Sequence, residues 1–174
     1  MPGVKLLAVA AALLAFTSYP QSATSPAKPC DRDVFRQFDF WIGTWEVKDQ
    51  TGKLAGHNVI TAQEQGCVLI EQWRSAGGGT GMSMNYYHPQ SGQWKQNWVG
   101  GGIILEMSGG MKDGSMVLEG PSRQIDDERL TLLRGTWTQL SDGRVRQHFV
   151  ESEDQGKTWK EWFDGYYSKV PGDN

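Results

Sequence analysis

The chain is poor in the residues from which sites of strong chemistry are built. It has two cysteines and three histidines, and His57, His88 and His148 lie on separate segments without ligand spacing. They read as solvated side chains, so no metal is implied, and haem ligation by one of them is only a sharper form of the same idea. No G-x-S-x-G, H-E-x-x-H, C-x-x-C or P-loop pattern occurs. The glycine clusters GGGT (77–80) and GGG (100–102) precede no helical pattern, so they are turns and not phosphate cradles. Neither sign of charge dominates, which argues against nucleic acid or an anionic membrane surface as partner. Sustained apolar periodicity at 3.6 residues is missing as well, which excludes helical bundles and sheets with crossover helices.

Long apolar runs are confined to LLAVAAALLAF (6–16), which follows Lys5 and precedes small and polar residues. That is the pattern of a secretory signal peptide, and the run falls short of the roughly 20 residues a spanning helix needs. Residues 1–23 are therefore expected to be a signal peptide, with Ala23 as the first choice of cleavage site and Ser22 or Ala27 still open. Lys28 and Pro29 precede Cys30, against a lipoprotein cysteine. Removing Lys5 changes the balance from 17 basic and 20 acidic residues to 16 and 20, or net −4. The expectation is an exported protein, periplasmic or secreted, with no integral membrane segment after cleavage, a lead over 24–34 and one domain over 35–170. Export permits a disulfide, so Cys30 and Cys67 are expected to pair, with two free thiols as the alternative.

What the chain has in quantity is glycine and tryptophan, 22 and 8 residues, with all the tryptophans and 21 of the glycines after residue 23. Turn signals recur at QTGK, QG, GGGT, HPQSG, GGG, KDG, the polar stretch PSRQIDDE (121–128), SDG and DQG. Between them lie about ten β-rich segments, the mark of an antiparallel meander. A meander that long curls and closes, since closure removes exposed edges. The predicted fold is all-β: a single up-and-down barrel of about ten strands, with Phe38, Phe40 and Trp41 of RQFDFWIGTWEV forming a short helical plug at one end.

Alternation indicates which side chains point inward. Trp45 and Val47 face the interior, as do Leu69, Glu71 and Trp73, then Trp94, Gln96 and Trp98, then Val145, Gln147, Phe149 and Glu151. That interior is aromatic but not dry, and several buried polar groups need partners. A small ligand or water would satisfy them, or Glu71 and Glu151 would pair with Arg134 or Arg146. The stretch Ser152 to Trp159 matches Ser-x-Asp-x-Gly-x-Thr-Trp, the Asp-box of sialidase-type propellers. A propeller needs several copies and only one is present, so the motif is read as a hairpin brace.

Taken together, FDFWIGTWEV (38–47), GCVLIEQW (66–73), SMNYY (83–87), WKQNWV (94–99), VRQ (145–147) and Ser152 to Trp159 resemble a family of exported bacterial proteins that open on FDFW-x-G-x-W and have no assigned function. The resemblance implies a lipocalin-like, or calycin, barrel with an interior pocket, Gly43 and Trp45 being its Gly-x-Trp signature. Haem-binding barrels of the nitrobindin type continue with glycines after that Trp. Here Glu46, Val47 and Lys48 follow, and no cofactor is implied. The leading functional reading is a barrel that holds an unidentified small, partly apolar molecule at Glu71, Trp73, Asn85, Gln96, Trp98, Arg134, Gln147 and Glu151. The alternatives are a pocket enzyme with Glu71 or Glu151 as general acid or base, and a filled structural or interaction barrel.

Overall fold

The computed structural model describes residues 29–126 and 130–172. The expected signal peptide and residues 24–28 of the lead lie outside the described residues. Ten antiparallel strands follow in chain order: β1 (Gly43–Asp49), β2 (Leu54–Gln63), β3 (Val68–Ser75), β4 (Thr80–His88), β5 (Gln93–Gly100), β6 (Ile103–Lys112), β7 (Ser115–Gln124), β8 (Leu130–Gln139), β9 (Val145–Ser152) and β10 (Lys160–Lys169). Each pairs with its neighbours in sequence, and β1 pairs with β10, so the sheet closes into an up-and-down barrel. No helix among the described residues is long and apolar enough to cross a membrane.

Strand alternation sets the two faces. Trp45, Val47, Leu69, Trp94, Val145 and Phe149 are all buried inside. Two single-turn 3-10 helices, Asp33–Phe35 and Asp39–Trp41, run before β1 and close one end of the barrel. Phe38 and Trp41 stack at 4.9 Å between ring centroids, and both reach Trp137, at 5.3 and 5.6 Å. Phe38 also meets Trp94 edge-on at 5.7 Å. Such offset and edge-to-face contacts add to the burial of large apolar surfaces. Trp45 Nε1 donates to the Trp41 carbonyl at 2.9 Å, tying the plug to the first strand. The turn between them is possible because Gly43 takes φ +141°, and a Cβ there would stand 2.0 Å from Lys169 Nζ.

A disulfide joins Cys30 to Cys67, with Cα atoms 5.2 Å apart, and so pins the lead to the start of β3 at the plugged end. Arg36 adds a hydrogen bond to the Gly66 carbonyl beside it. One expected turn is shorter than its polar sequence suggested. PSRQ (121–124) of PSRQIDDE belongs to β7, where Pro121 stands opposite Leu132 of β8. Proline has no N–H to give a ladder, and the β6–β7 pairing is interrupted there, between Leu105↔Ser122 and Ser108↔Glu119.

Candidate functional site: the open half of the barrel

The inward positions of β2, β3, β4, β5, β9 and β10 build a polar layer above the plug. Glu71 is 3% exposed. Its Oε1 accepts from Asn58 Nδ2 at 2.7 Å and its Oε2 from Ser83 Oγ at 2.6 Å, Ser83 being the residue directly opposite on β4. Ser83 Oγ accepts in turn from Asn85 Nδ2 at 2.8 Å. Asn58 Nδ2 also reaches Tyr167 Oη at 3.3 Å, and that hydroxyl donates to Gln147 Oε1. Burial pushes the Glu71 carboxyl up from 4.5 to about 7, against the lowering effect of the Ser83 and Asn58 hydrogen bonds. Burial, then the nearby Glu71, raise the Tyr167 hydroxyl well above its ordinary range, so it stays a neutral donor.

Above this layer lies a cavity of about 130 Å³, lined by Glu71, Gln96, Gln147 and Tyr167 together with Trp73, Trp98, Leu105, Phe149, Trp162 and Phe163. Two glycines of the inner wall seat its rings. A Cβ at Gly56 would come within 2.7 Å of the Trp73 ring, and one at Gly81 within 2.2 Å of the Trp98 ring. Only glycine lets these indoles lie flat against the neighbouring strand. A second hollow of about 180 Å³ at the same open end is more polar, and Glu151, Glu153, Lys160 and Ser122 line it with Trp162 shared between the two.

The structure brings Glu71, Trp73, Gln96, Trp98 and Gln147 to one cavity. Asn85 stands beneath it, fully buried, with Nδ2 on Ser83 and on the Leu69 carbonyl. Glu151 lines the second hollow and pairs with Lys160 at 3.3 Å. Arg134 does not join them, and the reading that placed it inside is corrected here. Its neighbours Leu133 and Trp137 are buried in the core, which sends Arg134 to the outer face. There its Nε meets Glu119 Oε2 at 2.7 Å and its guanidinium lies 4.1 Å from the centre of the Trp159 ring. Arg146 pairs with Asp164 at 2.8 Å, so neither arginine neutralises Glu71.

Trp162 and Phe163 are site residues that alternation missed. The register of β10 on β9 shifts between Glu161 and Phe163, and the bulge turns two consecutive aromatics toward the cavity. β10 carries two adjacent aromatic pairs, Trp162–Phe163 and Tyr166–Tyr167, and only the first sits at the bulge, so the sequence offers no signal that singles it out. Asn58 and Ser83 were legible by parity from Ile60 and Asn85.

The Ser152–Trp159 loop closes its own hairpin. Asp154 Oδ1 accepts from Ser152 Oγ and from the Lys157 and Thr158 amides at 2.8 to 3.0 Å, and Oδ2 accepts from Thr158 Oγ1 at 2.6 Å. Trp159 Nε1 donates to the Gly156 carbonyl at 3.0 Å. These bonds hold the Asp154 carboxyl down at about 2, the Thr158 hydroxyl contributing most. Both oxygens of the Asp154 carboxylate are committed to the loop's own amides and hydroxyls, the geometry of a brace. The histidines are scattered: His148 Nε2 lies 3.2 Å from Glu161, and His88 receives the Ser91 amide. No group of His, Cys, Asp and Glu among the described residues could hold a metal ion. No protein-family model matches the chain, and no curated protein matches it significantly.

Proposed function

We propose that this barrel is an exported, lipocalin-like binding protein that takes a small, partly apolar molecule into the cavity between Trp73, Trp98 and Trp162. The observation that carries the reading is the cavity itself: apolar rings above, and Glu71, Gln96 and Gln147 converging below. Concave, mostly apolar sites with a few placed polar groups are the usual form of small-molecule sites. Export is supported by the leader-like run at residues 6–16 and by the Cys30–Cys67 disulfide. The resemblance to exported FDFW-x-G-x-W proteins fits the closed barrel. Native mass spectrometry on protein purified from its producing host is expected to show a retained small molecule. A clean apo mass, with an interior fully packed in a crystal structure, would remove the binding reading.

One observation favours a second reading, a pocket enzyme. A carboxyl held at about 7 beside an accessible cavity is suited to proton transfer at neutral pH. Should a hydrolase or isomerase screen find an activity, Glu71→Gln abolishes it on this reading. Unchanged turnover excludes Glu71 as the acid or base.

A further inference from the structure

The geometry points to a small organic cation, a protonated amine or quaternary ammonium ion, as the ligand of the Glu71 cavity. This rests on the binding reading and names its chemical class. Glu71 is a buried carboxylate whose protein partners are all neutral: Asn58 from β2, Ser83 from β4 and, through them, Tyr167 and Asn85. Gln96 from β5 and Gln147 from β9 face the same cavity and are neutral as well. At the plug Lys169 lies over the Trp45 ring, and at the mouth Lys160 is taken by Glu151 and Glu153. A desolvated carboxylate without a counter-charge is costly, and breaking a buried pair exposes that cost. The same layer is short of donors, since Asn58 Oδ1 and Asn85 Oδ1 also have no hydrogen-bond partner. An ammonium ligand of either kind brings the charge that the carboxylate lacks, and a protonated amine adds N–H donors as well.

The walls fit the same class. Trp73, Trp98, Trp162, Phe149 and Phe163 present aromatic surface around the volume next to Glu71. Aromatic faces attract cations, most strongly where water is excluded, and cages of this kind recognise methylated ammonium groups. Size limits the buried part: about 130 Å³ is close to the ~150 Å³ of an engineered apolar cavity that holds benzene. The headgroup is therefore small. The adjoining hollow, with Glu151, Glu153, Lys160 and Ser122, leaves room for a polar tail past Trp162.

The test is isothermal titration of the purified full chain with choline and benzylammonium, each against its uncharged counterpart, 3,3-dimethylbutan-1-ol and benzyl alcohol. At pH 8, at least one ammonium ion is expected to bind tenfold or more tightly than its counterpart. Its affinity should fall as pH drops from 8 to 5.5 and Glu71 takes a proton, since among the described residues Tyr167 is the only other titratable side chain lining the cavity. In Glu71→Gln the cation loses tenfold or more while the neutral compound is unaffected. Trp98→Leu, with circular dichroism to confirm the fold, weakens the cation while leaving Glu71 in place. Equal or tighter binding of the neutral compounds, or cation binding indifferent to Glu71→Gln, overturns the assignment of charge and leaves the binding reading standing. Failure of both ammonium probes overturns it too, and the mass retained from the host then decides the broader reading separately.

Discussion

Along the barrel axis the same residue type serves two ends differently. At the plugged end Trp41, Trp94 and Trp137 are buried and packed ring on ring with Phe38, the buried Trp45 is hydrogen-bonded to the Trp41 carbonyl, and the disulfide fastens the lead beside them. At the open end Trp73 and Trp98 are only half-buried and Trp162 is 44% exposed, and all three stand around free volume next to an uncompensated carboxylate. The contrast separates stability from recognition. Tryptophan against tryptophan fills space and supports the fold, whereas tryptophan against a cavity leaves apolar surface for something else to cover.

The largest effect that would sharpen this contrast is Trp41→Ala. Deleting a fully buried indole is expected to cost near the upper end of about 3–5 kcal/mol in denaturant unfolding. Trp98→Ala should cost clearly less stability and yet remove ligand binding. Equal stability losses in the two variants would dissolve the division. Next comes the staple: Cys30→Ser closes no loop, and the 37-residue separation implies a loss of about 4 kcal/mol on the chain-entropy account. That loss should appear in unfolding free energy and leave affinity for a ligand unchanged.

The carboxylate of the open half gives a pH signature. Glu71 is raised in the fold from 4.5 to about 7, so its contribution to stability is full below 4.5, declines between 4.5 and 7, and is flat above. Across that window the wild type should lose roughly 3 kcal/mol relative to Glu71→Gln. Parallel stability curves for the two proteins would mean that Glu71 is not the desolvated acid described here. The smallest effect belongs to the mouth loop and runs the other way. Asp154 is lowered from 3.8 to about 2, so what it contributes is present above 3.8 and is lost as pH falls toward 2. Asp154→Asn should lack that acid limb in a titration followed by Trp159 fluorescence, with the barrel otherwise intact.

Much of this division can be read from the chain, because closure and parity are local properties. Turn residues at short spacing define ten strands, and in CVLIEQWRS the apolar Leu69 and the aromatic Trp73 place Glu71 inside with them. The same parity, applied to LTLLRGTW, sends Arg134 outward with Trp137 inward, whereas the need of a buried carboxylate for a counter-charge points to it as a partner for Glu71. What parity cannot show is a bulge, and the bulge in β10 is what delivers Trp162 and Phe163 to the cavity. Pro121 is a related case: prolines and polar residues signal a turn, but at an interrupted stretch of ladder they continue a strand. That no cation pairs with Glu71 among the described residues is a property of the whole interior, and no segment of sequence contains it.

The most direct measurement is a high-resolution crystal structure of the protein purified from its own host. The account predicts continuous density for a small molecule between Glu71, Trp98 and Trp162, with a polar group against the carboxylate. A collapsed, dry interior with an indole folded down onto Glu71 would contradict it.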